Sequence, residues 1–213
     1  MKKKVVFLDT ETSGFYRKPS DNPKKDPWIV ELAILLYEVD QEGNYEELEV
    51  LHTLIKPEGR WIHPAAQEVH GISTTKADAD GKFDKDIAIK VDALLKDADI
   101  LCCHNTDFDY KFLFDLLARH SQGSALYKLS TMEHICTMKS STDFCALPHK
   151  TPQSRKKGQT FKWPKLEELY AKLFEETFDN AHCALDDTKA TIRCFLELLK
   201  LGIIKVEAFD KGE

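Results

Sequence analysis

Asp9, Thr10 and Glu11 follow a short apolar run, Val5-Val6-Phe7-Leu8. A strand alternates faces, so Asp9 and Glu11 project to one side, ~7 Å apart. Carboxylates are disfavoured within strands, and two at that spacing can reach one divalent ion. Two further acid pairs pose a choice that the helical wheel resolves. In the segment after residue 105, Phe108, Phe112, Leu113, Leu116 and Leu117 share one arc at ~100° per residue. Asp109 falls inside that arc, whereas Asp107 lies opposite, favourably placed for the helix dipole. In the last helix the inner face carries Ala184, Thr191, Cys194, Phe195, Leu198 and Leu199, and Asp187 falls on it. Asp186 points outward with Lys189, Arg193 and Glu197, which predicts exposed Asp186–Lys189 and Arg193–Glu197 pairs.

Four carboxylates, Asp9, Glu11, Asp109 and Asp187, are thus expected to face inward, and an unpaired buried charge costs several kcal/mol. The economical explanation is a hard divalent-metal site with oxygen ligands, Mg²⁺ or Mn²⁺, since no thiolate is placed to help. Two ions ~3.5–4 Å apart serve phosphoryl-ester hydrolysis, one activating water and the other stabilising the leaving oxygen. His182, five residues before Asp187, supplies an imidazole that can deprotonate the attacking water. His52, His63, His120, His134 and His149 read as structural or surface residues. An Asp-nucleophile phosphatase wants Asp-x-Asp, and Glu11 stands where its second Asp should be. A nucleic-acid-binding module without turnover is the alternative from another class; five intact chemical positions argue against it.

These residues need a scaffold. Residues 5–9, 29–39, 47–56 and 99–103 read as strands. Helices are expected over 86–97, 106–119, 164–174 and 183–200, with a short one from Pro64 to His70 closed by Gly71. Strands first, then strand and helix in alternation, predict an α/β fold with a mixed sheet covered by helices. The loop 10–28 is rich in Pro, Ser, Asn, Lys and Asp. Residues 144–166 carry Lys150, Arg155, Lys156, Lys157, Lys162 and Lys165 with no acid among them. Two readings stand for this stretch: a solvated loop, or a phosphate-contacting flap in which Phe161 and Trp163 stack on bases. The aromatics serve equally as anchors to the core.

At 213 residues and 24.4 kDa, the chain is expected to form one domain, with insertions. It is 42% hydrophobic and 31% charged, enough to bury a core and too apolar for a disordered tail. A net charge of -6 excludes an all-over basic nucleic-acid coat but not an acidic site that holds cations. No apolar run nears the ~20 residues of a membrane span. Met-Lys-Lys-Lys imitates a signal-peptide start, yet only Val5 to Leu8 follow before Asp9, so a cytoplasmic protein is expected. Cys102, Cys103, Cys136, Cys145, Cys183 and Cys194 include no C-x-x-C pair and predict no disulfide. His134, Cys136, Cys145 and His149 could be arranged around zinc, but their spacing fits no finger.

Asp9-Thr10-Glu11-Thr12-Ser13-Gly14, His70-Gly71-Ile72, His104-Asn105-x-x-Phe108-Asp109 and His182-x-x-x-x-Asp187 occur in this order. In order and spacing they resemble the DEDDh exonucleases, the DnaQ-like group that includes the proofreading subunit of the bacterial replicative polymerase (the DNA polymerase III epsilon type), ribonuclease T and oligoribonuclease. The resemblance implies a ribonuclease-H-like fold with a five-stranded mixed sheet across one exonuclease domain, residues 1–213. It implies 3′→5′ release of nucleoside 5′-monophosphates from single-stranded DNA or RNA ends, with two metal ions and a possible polymerase or repair partner. It casts Asp9, Glu11, Asp109 and Asp187 as metal ligands and His182 as general base. It also assigns Thr10 and Thr12 to the terminal nucleotide, Phe15 to wedging its base, and His70, Asn105 and Phe108 to the pocket. For Phe108, simple core packing is an equal alternative. Gly14 would allow close backbone approach to the substrate. The loop at 16–28, with Arg17, Lys18, Lys24 and Lys25 against Asp21 and Asp26, and the stretch 144–166 look like insertions relative to the shortest members.

Overall fold

The computed structural model describes residues 1–16, 21–120, 122–149, 159–178 and 182–210. The expectations for Arg17, Lys18, Lys150, Arg155, Lys156 and Lys157 fall outside them. Strand β1 (Lys2–Thr12) is central and is followed by β2 (Ile29–Asp40) and β3 (Tyr45–Leu54). Three helices come next, α1 (Pro64–His70), α2 (Thr74–Asp80) and α3 (Asp84–Leu95). Then follow β4 (Ile100–Cys103), α4 (Thr106–Arg119), α5 (Gly123–Thr131) and β5 (Glu133–Cys136). Short helices α6 (Thr137–Ser140) and α7 (Thr142–Cys145) precede α8 (Leu166–Phe174), α9 (Ala184–Lys200) and α10 (Glu207–Asp210). The sheet order is β3-β2-β1-β4-β5. β1–β2 and β2–β3 pair antiparallel, β1–β4 and β4–β5 parallel, so the five-stranded mixed sheet is as expected.

Side-chain alternation along β1 divides the interior into two layers. Val6 and Leu8 pack with Ile87 and Val91 of α3 and Phe112 and Leu116 of α4. Val5 and Phe7 pack with Leu169 of α8 and with Phe195 and Leu198 of α9. Phe7 meets Phe195 edge-on at 5.2 Å, a favoured aromatic geometry. β1 also outruns its apolar core. Asp9 lies opposite Ala33 and Glu11 opposite Glu31 before the register shifts at Thr12. By the same alternation Asp9 and Glu11 emerge on the α9 side and Thr10 on the α4 side.

Local chemistry sets the ends of the elements that carry the site. α1 begins with Pro64, and His63 Nδ1 accepts from Ala65 N–H at 3.2 Å. It ends on Gly71 at φ 72°, whose N–H donates to the Gln67 carbonyl, the left-handed stop that glycine adopts without strain. After α2 the chain passes Ile55 so closely that a Cβ on Gly81 would sit 2.8 Å from the Ile55 carbonyl carbon, and it would sit 2.3 Å from the Ala77 carbonyl oxygen of α2 itself. Backbone bonds between Ser13 and Trp28 at 2.9 Å, and from His63 N–H to the Ser13 carbonyl at 3.0 Å, close the neck of the loop after β1. Buried Asp84 lies 3.3 Å from Arg60, 3.8 Å from Arg119 and 2.9 Å from His120, tying the start of α3 to the end of α4.

The predicted surface pairs on α9 do not form among the described residues. Arg193 instead lies over the rings of Tyr170 and Phe174, at 4.9 and 4.4 Å, and 3.5 Å from Glu176. A planar guanidinium stacks well on aromatic faces, and tertiary contact wins over the i,i+4 neighbour. Nor is the end of the basic stretch unopposed, since Lys162 pairs with Glu168 of α8 at 2.6 Å. His134 is engaged by the Leu129 carbonyl at 2.7 Å, and the suggested His134–Cys136–Cys145–His149 set does not assemble among the described residues. Cys102 and Cys103 are buried and free. No described helix is long and apolar enough to cross a membrane.

Candidate active site

The two wheel arguments hold in three dimensions. Asp109 is 2% exposed, and its Oδ1 accepts from the Thr10 hydroxyl at 2.8 Å. Asp107 stays at the surface, 2.6 Å from Lys139. Asp187, in the first turn of α9, turns inward: its Oδ2 accepts from the His182 N–H at 3.1 Å, and its Oδ1 is buried without a partner. His182 adopts φ 73°, a backbone conformation uncommon outside glycine. Ligand atoms of Glu11, His182 and Asp187 all lie within 4.8 Å of one another.

The electrostatics follow from this convergence. Burial, with the charges of Asp109, Asp187, Glu11 and Glu31 added, holds the Asp9 carboxyl well above its ordinary range. Burial and then the charges of Asp187, Glu31 and Asp109 push Glu11 up to about 8. Asp109 is raised by burial to about 7, although the Thr10 hydroxyl opposes the shift. Asp187 is raised by burial to about 6, opposed by the His182 N–H. Each acid feels others from separate segments, so β1, α4 and α9 have been brought to one point. A buried oxygen with no donor and four mutually repelling acids fit a hard divalent cation held by Asp9, Glu11, Asp109 and Asp187.

A cavity of about 990 Å³ opens beside Glu11. Thr10, Thr12, Gly14, Phe15, His70 and Phe108 all line it, and Asn105 does not. Asn105 instead precedes α4 in the left-handed conformation, φ 79°, which asparagine tolerates better than most residues. Phe15 is 90% exposed, whereas Phe108 is partly buried and packs on Phe112 at 5.0 Å; it serves core and cavity together. The Thr12 hydroxyl donates to the Gly14 carbonyl at 2.9 Å. His70 Nδ1 accepts from Ile72 N–H at 3.0 Å, and burial lowers its pKa. The space over Gly14 is open: an added Cβ would meet nothing nearer than His63 Cβ at 3.9 Å.

Several members of this region escape a reading of motifs alone. Trp61, 58% exposed, stands on the cavity wall with its ring 5.6 Å from His63. His63, expected to be merely structural or superficial, therefore both caps α1 and faces the cavity. Lys24 and Lys25 bring positive charge to the same wall. Glu31 is 6% exposed; its Oε2 accepts from Ala184 N–H at 3.0 Å, at the start of α9, and its Oε1 lies 2.8 Å from His52 Nε2. A charged residue inside the apolar run Ile29-Val30-Glu31-Leu32-Ala33 was the available signal. His104, in the motif before α4, is a partly buried tie between the Thr137 hydroxyl (3.0 Å) and the Pro164 carbonyl (3.1 Å), and its desolvation takes its pKa down to about 4.

The exonuclease family model RNase_T matches residues 6–195. Among solved structures, E. coli exonuclease I in complex with a dT13 oligonucleotide superposes with a TM-score of 0.69 at 22% identity, covering 92% of this chain and 41% of that one. E. coli exonuclease I with a dA16 oligonucleotide gives 0.67 at 20% identity, over 92% and 40% of the two chains. A moderately thermophilic exonuclease I from Methylocaldum szegediense gives 0.68 at 19%, again over 92% and 40%. The chain thus spans about two fifths of the length of these relatives. No curated protein matches it in sequence. With the motif order intact, the fold shared and the family model spanning most of its length, the chain belongs to the exonuclease family, within the DnaQ-like DEDDh group of 3′→5′ exonucleases.

Proposed function

We propose that the chain hydrolyses the terminal phosphodiester at the 3′ end of single-stranded DNA, releasing nucleoside 5′-monophosphates one at a time. The observation that carries this reading is the convergence of four carboxylates from β1, α4 and α9 with one imidazole beside an open cavity. DNA is favoured because the exonuclease I structures it resembles hold dT13 and dA16 oligonucleotides.

Asp9, Glu11, Asp109 and Asp187 would hold the divalent ions, two Mg²⁺ or Mn²⁺, which when bound would supply charge stabilisation and a more acidic water. The Thr10 hydroxyl fixes the Asp109 carboxylate. His182, exposed and next to Glu11 and Asp187, takes the proton of the attacking water on its imidazole nitrogen. The water oxygen bonds to phosphorus, the bond to the 3′ oxygen of the preceding nucleotide breaks, and that oxygen receives a proton from solvent. Phe15 and Trp61 offer exposed ring faces to bases, and Lys24 and Lys25 attract the backbone. His70 and Thr12 line the same cavity as Glu11.

The test is incubation of 5′-labelled DNA and RNA oligonucleotides of one sequence with Mg²⁺ or Mn²⁺. The expected result is a ladder shortened from the 3′ end, faster on DNA, abolished by chelator and by Asp187→Ala. Internal cleavage, shortening from the 5′ end, or activity in excess chelator would contradict it.

A further inference from the structure

Beside the catalytic carboxylates, one strand over from Glu11, the described residues bring a second set of metal-ligating atoms together. Glu31, His52 and Cys183 place one carboxylate oxygen, one imidazole nitrogen and one sulfur all within 4.8 Å of one another. Three separate elements supply them. His52 of β3 pairs with Ala33 of β2 and so stands diagonally across from Glu31 on the same face. Cys183 is drawn in from the segment before α9, because Glu31 Oε2 accepts from the next residue's N–H, that of Ala184. Glu31 is buried, while His52 retains 35% side-chain exposure, which leaves a route in from solvent.

The donor types decide which ion this set suits. Mg²⁺ and Mn²⁺ prefer oxygen throughout, whereas a thiolate with an imidazole and a carboxylate suits Zn²⁺ and similar borderline ions. Zinc bonds of ~2.0–2.3 Å in a tetrahedron put ligand atoms ~3.3–3.6 Å apart. Reaching that geometry takes at most a modest shift on the sulfur side, whose atom lies within 4.8 Å of the other two, and a small opening of the 2.8 Å Glu31–His52 contact. Both lie within side-chain motion, and the Cys183 thiol proton leaves to solvent as the ion binds. Three protein ligands leave a fourth position for water.

The ion would also act on the neighbouring chemistry. Cys183 directly follows His182, and Glu31 holds the first N–H of α9, the helix that carries Asp187. Drawing Cys183 and Glu31 onto a common ion pulls on the backbone on both sides of that helix start.

We propose that Glu31, His52 and Cys183 form a second site, selective for Zn²⁺-class ions, whose occupancy displaces His182 and slows hydrolysis. The binding half stands by itself; the inhibitory half rests on the exonuclease reading above.

Co²⁺, a coloured stand-in for Zn²⁺, separates the two sites when Mg²⁺ is present in excess, since only the second offers sulfur. The expected result is a thiolate-to-cobalt charge-transfer band that saturates at one equivalent and is erased by Zn²⁺. It should be absent in Cys183→Ser and need about tenfold more Co²⁺ in His52→Gln. No band in the native protein, or an undiminished band in Cys183→Ser, overturns the site. In parallel, one equivalent of Zn²⁺ should slow Mg²⁺-driven hydrolysis by the native chain and spare Cys183→Ser, each measured against its own zinc-free rate. Equal slowing of both overturns the inhibitory half. A protein with the band but no hydrolysis would refute the exonuclease reading and leave the metal site standing.

Discussion

Replacing Asp109 by Asn separates the electrostatic cost of the site from its chemistry. The carboxyl is raised from its ordinary 3.8 to about 7, chiefly by burial. A group whose folded-state pKa is raised favours folding only while protonated. Its stability is complete below the unfolded value near 4 and is lost as pH climbs through about 7. Three units at ~1.4 kcal/mol each set a ceiling of ~4 kcal/mol above pH 7. Asparagine keeps the shape and the oxygen that accepts from Thr10 at 2.8 Å, but it never ionises. Without divalent ions, Asp109→Asn should therefore be more stable than the native protein at pH 8 by ~1–4 kcal/mol, or ~2–15 °C in Tm for a chain of this size. Near pH 4 the two should melt together. Adding Mg²⁺ should cut that advantage by up to ~2.7 kcal/mol, the stabilisation that an ion at a hundred times its Kd gives the native site, because the variant would lack one ligand; it should also lose activity. Thermal denaturation from pH 4 to 8.5, with chelator and with Mg²⁺, measures all of this. A variant no more stable than the native protein at pH 8 in chelator would refute the claim that uncompensated carboxylates strain the metal-free site.

His182→Ala should lower the hydrolytic rate by roughly 10²–10⁴ without moving Tm, as the side chain is exposed; a rate loss under threefold would remove it as the base. Trp61→Ala should raise KM for oligonucleotides by roughly 5–150-fold, from ~1–3 kcal/mol of stacking, with kcat little changed; an unaltered KM would take Trp61 out of the substrate path. Gly81→Ala should destabilise the fold by ~1–3 kcal/mol, since its Cβ would lie 2.3 Å from the Ala77 carbonyl; a chemical-denaturation midpoint equal to the native one would show that this packing relaxes freely.

What the sequence made legible depended on periodicity. Alternation placed Asp9 and Glu11 on one face, and the wheel separated Asp109 from Asp107, because burial on long elements obeys simple geometry. α4 falls at 106–119 as expected, since a clear apolar arc runs its whole length. β5 escaped notice because four residues, Glu-His-Ile-Cys, carry no readable pattern; their strand geometry is imposed by pairing with β4, Ile100 opposite Glu133. Helices α2 and α5 were missed as well. Glu31 and Arg193 show the other limit. Their partners, Ala184 and His52 for one and Tyr170 and Phe174 for the other, lie far along the chain, so no local window contains the interaction. Likewise Trp61 becomes a cavity wall only once the loop after β3 folds back beside β1.

The most direct test of the central claim is anomalous scattering from Mn²⁺ in crystals of the protein grown with a short 3′-ended DNA strand. Manganese should lie among the carboxylates of Asp9, Glu11, Asp109 and Asp187, with the terminal phosphodiester between the metal and the His182 ring. Manganese bound elsewhere, or a DNA end seated away from these side chains, would contradict the account.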